Sequence, residues 1–253
     1  RVAERGTRWL TTATTAVTEA AESTYFGHSA PFSVDLFLEG RRHFTIPNGL
    51  AVDHLEEVRR LADRASIRAG LGLGGEFVLA CVGRLHPSKG HGDLLRAMAY
   101  VAREASGVRL LLVGEGELRP ALEAMIEELG LGSSVILLGH RSDAMEIVAA
   151  ADGFVLPSVV EGFGLAVAEA MMLGVPVIAT NLDSIREVVG PYGTLVAPRS
   201  PRVLADAIVG LINGGHHQSS GAINRVRDRF DIRAVVRQYE ELYALVLGDL
   251  PGA

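Results

Sequence analysis

From residue 76 onward the chain alternates short apolar runs with longer stretches in which apolar positions recur every three or four residues. The short runs, at 77–82, 108–113, 135–138, 154–156, 177–179 and 194–196, are rich in Val, Leu and Ile without polar alternation. Such runs predict parallel strands covered on both faces. The periodic stretches near 91–105, 117–129, 143–151, 164–173 and 183–189 predict the helices between them. Strand and helix alternating at this spacing give right-handed βαβ units. The predicted class is therefore α/β, a Rossmann-like doubly wound parallel sheet, whose ligands bind at the carboxyl ends of its strands.

The flanks read differently. Residues 9–14 pattern as a strand, 16–26 as a helix, and 43–46 as a short strand ending in the turn signal Pro47-Asn48-Gly49. Helical patterns at 200–213 and 233–247 bracket a Gly, His and Ser tract at 214–221, expected as a flexible loop. The expected organisation is a domain tail and linker over 1–46, a ligand-binding domain over 47–232, and a closing segment over 233–253. The chain opens at Arg1 with no initiator methionine, which predicts a fragment with a further domain upstream.

Composition narrows the class. Of 253 residues, 48% are hydrophobic, enough for a large core, and the net charge of −6 carries no basic block that would favour nucleic acid. The single cysteine, Cys81, lies within the apolar run FVLACVG and reads as a core thiol in a reducing compartment. The apolar runs fall far short of the roughly 20 residues a membrane helix needs. No signal peptide opens the chain, so the expected setting is the cytoplasm.

The candidate chemistry sits at predicted strand ends. Between 158 and 180 the chain reads SVVEGFGLAVAEAMMLGVPVIAT, where Glu161 and Glu169 flank Gly162-Phe163-Gly164 and Leu165 at a strand-to-helix junction. Helix starts leave N–H groups without intrahelical partners and favour anions. Glu169 stands among Ala166, Val167, Ala168, Ala170, Met171, Met172 and Leu173. A lone carboxylate on so apolar a helix costs several kcal/mol to bury unless it is paired or functional. In GRLHPSKG, Arg84 and Lys89 follow Gly83 at another strand end. By themselves they fit solvated loop cations better than a site, but together with a phosphate cradle they suit a diphosphate. Gly114 and Gly116 in VGEG fit a tight turn as well as a ligand's approach. In LLGHRSD, Gly139, His140 and Arg141 fit the rim of a base pocket, and Ser142 fits a helix cap. Gly70, Gly72 and Gly75 match GxGxxG, but after a helix and before a strand, the reverse of a dinucleotide fingerprint. No Asp-x-Asp pair or Cys/His cluster occurs at metal spacing, so no protein-held metal is expected.

In their order and spacing, PNG at 47–49, GRL and SKG, VGEG, LLGH, EGFGLAVAEAMMLGVPVIAT and GTLVAP at 193–198 resemble the nucleotide-binding half of the retaining GT-B glycosyltransferases of the family-4 type. The resemblance implies the C-terminal half of a GT-B fold. It implies transfer of a sugar, with retention, from a UDP- or GDP-linked donor to a glycan, lipid or small-molecule acceptor, without cofactor. Arg84 and Lys89 would neutralise the departing diphosphate. Glu161 would take the donor sugar's hydroxyls and Glu169 those of the ribose. The backbone of Phe163, Gly164 and Leu165 would hold sugar and phosphate, and Gly139–Arg141 the base. The closing helix would pack back on the upstream domain, through which peripheral membrane contact is allowed. The family's glycine-rich loop and acceptor-side residues are not in these residues. A nucleotide-sugar epimerase of the same architecture and a non-catalytic sugar-nucleotide binding module are the competing expectations.

Overall fold

In the computed structural model, which describes residues 12–214 and 220–248, the chain divides into one unit of residues 1–52 with 227–253 and another of residues 53–226. The smaller unit is built on two short parallel strands, Thr14–Ala16 (β1) and His43–Thr45 (β2). Of the strand expected over 9–14, residues 9–11 lie outside the described residues, and the strand that forms begins at Thr14. The helix expected from residue 16 begins later, at Glu19–Phe26 (α1), because the Thr18 hydroxyl accepts from the Ala21 N–H at 3.2 Å and caps it. A short helix that the pattern did not reveal, Val34–Leu38 (α2), precedes β2. The closing helix, Ile232–Leu247, packs Val235, Leu242 and Leu245 with Phe37, Phe44 and Ile46. Pro47-Asn48-Gly49 forms no turn. The chain runs through it to Leu50, whose N–H donates to the Phe230 carbonyl (2.7 Å) and whose carbonyl accepts from the Ile232 N–H (2.9 Å).

This unit also buries one acid completely. Glu22 receives Arg41 Nη2 and His43 Nδ1 at 2.7 Å each, Thr45 Oγ1 at 2.6 Å and the Ala30 N–H at 3.1 Å. Burial pushes its pKa up, but these donors together outweigh burial and hold the carboxyl below its ordinary value.

The larger unit opens with two helices that the apolar pattern did not reveal, Val52–Leu61 (α3) and Arg64–Gly70 (α4). It continues through Phe77–Val82 (β3), His91–Glu104 (α5), Val108–Val113 (β4), Arg119–Glu128 (α6), Val135–Gly139 (β5) and Ala144–Ala149 (α7). Then come Gly153–Leu156 (β6), Leu165–Met172 (α8), Val177–Thr180 (β7), Asp183–Val189 (α9), Thr194–Val196 (β8), Pro201–Ile212 (α10) and Ser220–Phe230 (α11). The last of these helices was not foreseen either, and residues 215–219 of the expected loop lie outside the described residues. All six strands are parallel, in the order β5-β4-β3-β6-β7-β8. In the central strands β3, β6 and β7 the side chains are buried on both faces because helices cover both, which is why those runs lack polar alternation. Cys81 sits in this core, where burial pushes its thiol up to about 12. Asp152 ties α4 to the sheet, accepting from Arg64 and Arg68 at 2.7 Å and from the Val78 N–H at 2.8 Å.

The order positions the site. The chain builds outward from β3 through β4 to β5, then returns to place β6 on the other side of β3. The loops after β3 and β6 therefore diverge at the topological switch point, where open α/β sheets form their ligand crevice.

Candidate functional site

The two loops at the switch point carry Lys89 and Glu161. After β3, the chain turns through a 3₁₀ turn, Pro87–Lys89, capped by His86 Nδ1, which accepts from the Ser88 N–H at 3.2 Å. The Ser88 carbonyl accepts from the N–H groups of Val159 (2.7 Å) and Val160 (3.1 Å) in the loop after β6. Close approach of the two loops requires Gly90, at φ 69°, because a Cβ there would run into the Pro157 carbonyl. So joined, the loops bring Lys89 Nζ within 2.7 Å of Glu161 Oε2. Ser158 Oγ donates to the same oxygen at 3.2 Å. The side chains of Lys89 and Glu161 keep 26% and 13% of their surface exposed, so both remain within reach of a ligand.

Helix α8 opens at Gly164, with no side-chain cap. Among the described residues, the N–H groups of Leu165 and Ala166 have no acceptor. That leaves a helix N-terminus able to receive an anion. Phe163 is buried beneath it, while Gly162 and Leu165 are exposed. Glu169 lies on the second turn, half-buried, its carboxylate with no hydrogen bond or ion pair among the described residues. Burial alone pushes its pKa up. Arg84 is exposed on the first loop, and its guanidinium likewise has no partner among the described residues.

Beyond β4 and β5 the predicted residues form a backbone ladder. The Gly83 N–H donates to the Val113 carbonyl (3.0 Å), and the Gly114 N–H donates to the Gly139 carbonyl (2.8 Å). Gly114, at φ 143°, admits this packing because a Cβ would strike the Gly83 carbonyl. Arg141 is engaged by Asp143 in a two-point pair at 2.6 and 2.7 Å. His140 is exposed, and no contact joins it or Arg141 to the Lys89–Glu161 pair among the described residues. Ser142 does not cap α7: the cap position is Asp143, which makes no side-chain cap bond. Gly70 ends a helix and Phe77 begins a strand, so the GxGxxG match lies in a connecting loop.

Sequence reasoning missed the residues that support these groups. Thr180 Oγ1 donates to the Ser158 carbonyl (2.5 Å) and Ser184 Oγ donates to the Glu161 carbonyl (2.6 Å). His91, next to Gly90, is buried with Nδ1 unpartnered among the described residues. Burial, aided by the nearby Lys89 charge, pushes its pKa down to about 4. The available signal was Ser158 directly after a strand-ending proline; the other partners lie too far along the chain to be read. Cavities open on this unit among the described residues. One, about 560 Å³, is lined by Ser88, Asp93, Arg96, Val160 and Arg199. Another, about 370 Å³, lies between α5 and α10 beside Tyr100, Arg103 and Arg202. Neither contains a sequence-predicted site residue. Among the described residues no cluster of three or more His, Cys, Asp or Glu side chains is placed to hold a metal ion.

Residues 76–214 match the family model described as Glycosyl transferases group 1. Over 155 residues the chain is 40% identical to the D-inositol 3-phosphate glycosyltransferase of Segniliparus rotundus, covering 58% of this chain and 33% of that one. Over 210 residues it is 33% identical to the phosphatidyl-myo-inositol mannosyltransferase of Mycobacterium leprae, covering 79% and 53%. The chain thus spans about a third to a half of the length of these curated relatives. The crystal structure of Anabaena HepE in complex with UDP and glucose superposes with a TM-score of 0.81 at 26% identity, covering 96% of this chain and 66% of that chain.

Proposed function

This chain belongs to the glycosyl transferases group 1 family, with the Rossmann-like α/β architecture of a GT-B half, and from that premise we propose that it supplies the donor side of a retaining, metal-independent sugar transfer. The observation that carries the reading is the Lys89–Glu161 pair at the switch point, together with groups that have no partner among the described residues: the Arg84 guanidinium, the Glu169 carboxylate and the N–H groups of Leu165 and Ala166. A nucleoside diphosphate sugar complements that set. Its diphosphate takes the two cations and the helix start; its ribose offers hydroxyl donors to Glu169, and its sugar offers them to Glu161. An ammonium has three donors, so Lys89 serves Glu161 and a phosphate oxygen together. The UDP and glucose in the HepE crystal structure favour a UDP-linked hexose as donor.

In this mechanism the charge that develops on the departing diphosphate is met by Arg84, Lys89 and the start of α8, fixed in place before reaction. The proposed mechanism uses no second carboxylate as a nucleophile. The acceptor hydroxyl attacks from the face the diphosphate leaves, and a phosphate oxygen takes its proton, which retains the anomeric configuration. Among the described residues no helix is long and apolar enough to cross a membrane. A cytoplasmic enzyme, touching membranes at most at its periphery, is the proposed setting.

The test is a calorimetric titration of UDP, GDP and glucose 1-phosphate into the protein, followed by NMR assignment of the transferred sugar's anomer. Binding of a nucleoside diphosphate, no binding of glucose 1-phosphate and a product that keeps the donor's anomeric form are expected. Absence of nucleotide binding, or inversion, contradicts the reading.

A further inference from the structure

We propose that Thr180 and Ser184 are positioning residues that, with Ser158, aim one oxygen of Glu161 at the donor sugar. Two buried hydroxyls, one from β7 and one from α9, hold the segment 158–161, and the buried hydroxyl of Ser158 within it meets the Glu161 carboxylate. Thr180, at the end of β7, holds the Ser158 carbonyl, and Ser184, in α9, holds the Glu161 carbonyl. Between them, the N–H groups of Val159 and Val160 are held by the Ser88 carbonyl. The segment is therefore tied at both ends and in the middle. Glu161 Oε2 receives both Lys89 and Ser158, whereas Oε1 has no partner among the described residues. One oxygen is saturated by the protein and the other is left for a ligand.

The Ser184 hydroxyl is not used to stabilise its own helix. Helix stability favours a Ser, Thr, Asp or Asn at the cap position. In α9 that position is Leu182, with no side-chain cap, while Ser184 stands inside the first turn and spends its hydroxyl on Glu161. Binding geometry that must be held before the ligand arrives is built from such supporting bonds.

The inference rests on the donor-site reading above, and calorimetry separates the two. UDP and UDP-glucose are titrated into the wild type, Ser184→Ala, Thr180→Val and the hydroxyl-retaining Ser184→Thr and Thr180→Ser. Loss of one supporting hydrogen bond is expected to lower the ratio of UDP-glucose to UDP affinity about three- to tenfold in Ser184→Ala and Thr180→Val. UDP affinity itself is expected to stay within about twofold. The hydroxyl-retaining variants should restore the wild-type ratio, an outcome that a merely structural role would not produce. If Ser184→Ala fails to fold, Ser184→Cys, nearly isosteric and weakly donating, carries the same test. An unchanged ratio in folded variants, or an equal loss for both ligands, overturns the positioning role while leaving the nucleotide site intact. Wild-type protein that binds neither UDP nor UDP-glucose overturns the donor-site reading and this proposal together.

Discussion

Glu22 and Glu169 occupy opposite circumstances in the two units. Glu22 is wholly buried, yet four donors surround it and hold its carboxyl below its ordinary value. Glu169 is only half-buried, yet nothing among the described residues meets it, and burial pushes its pKa up. A buried charge is tolerated when paired and hydrogen-bonded, and is costly when it is not. The first acid holds a fold together. The carboxylate of the second has no polar partner among the described residues, and it is this cost that the donor-site proposal assigns to a ligand. Glu161 lies between these extremes, with one oxygen satisfied and one open.

The largest effect should come from breaking the satisfied end. Glu22→Ala removes the partner of Arg41, His43 and Thr45, and is expected to cost about 3–5 kcal/mol of stability by denaturant titration. A loss below about 1 kcal/mol would deny Glu22 its structural role. Next, Arg84→Ala and Lys89→Ala should each lower turnover about a hundredfold or more in the full-length enzyme, with unfolding midpoints nearly unchanged. Parallel losses of stability and activity would make them structural instead. Third, Glu169→Ala should weaken UDP binding about tenfold without lowering stability.

The smallest effect follows from the pKa directions. Glu22, lowered, contributes stability above the ordinary carboxylate value of 4.5 that is lost as the pH falls through its folded value. Glu169, raised, does the reverse: its contribution is present in acid and lost as the pH rises past 4.5 and through its folded value. Glu169→Gln should therefore be equal to or slightly more stable than wild type at pH 7, by less than about 1 kcal/mol, and gain nothing at acid pH. Thermal unfolding at both pH values reads this. A less stable Gln variant at pH 7 would point to a hidden partner.

How much of this was legible in the sequence follows the same division. The six strands could be read because burial leaves their runs almost wholly apolar, as in Phe77–Val82, with no alternation of polar positions. Val52–Leu61 escaped because only Val52, Leu55 and Val58 face inward among charged neighbours. Lys89 and Glu161 were legible as candidates, since each follows a strand, but their pairing spans 72 residues and depends on β6 returning beside β3. Glu169 was legible because its neighbours are apolar. Glu22 was not: Ala30, Arg41, His43 and Thr45 meet it only once β1 and β2 pair. Ser184 left no signal, because a hydroxyl in the first turn of a helix reads as ordinary.

The central claim is that Glu169 is left unpaired in order to hold the ribose of a nucleotide. Calorimetry of UDP and its 2′,3′-dideoxy analogue, against wild type and Glu169→Ala, tests it most directly. Removing the ribose hydroxyls should cost the wild type about tenfold in affinity and cost Glu169→Ala almost nothing further. An equal loss in both proteins would contradict the account.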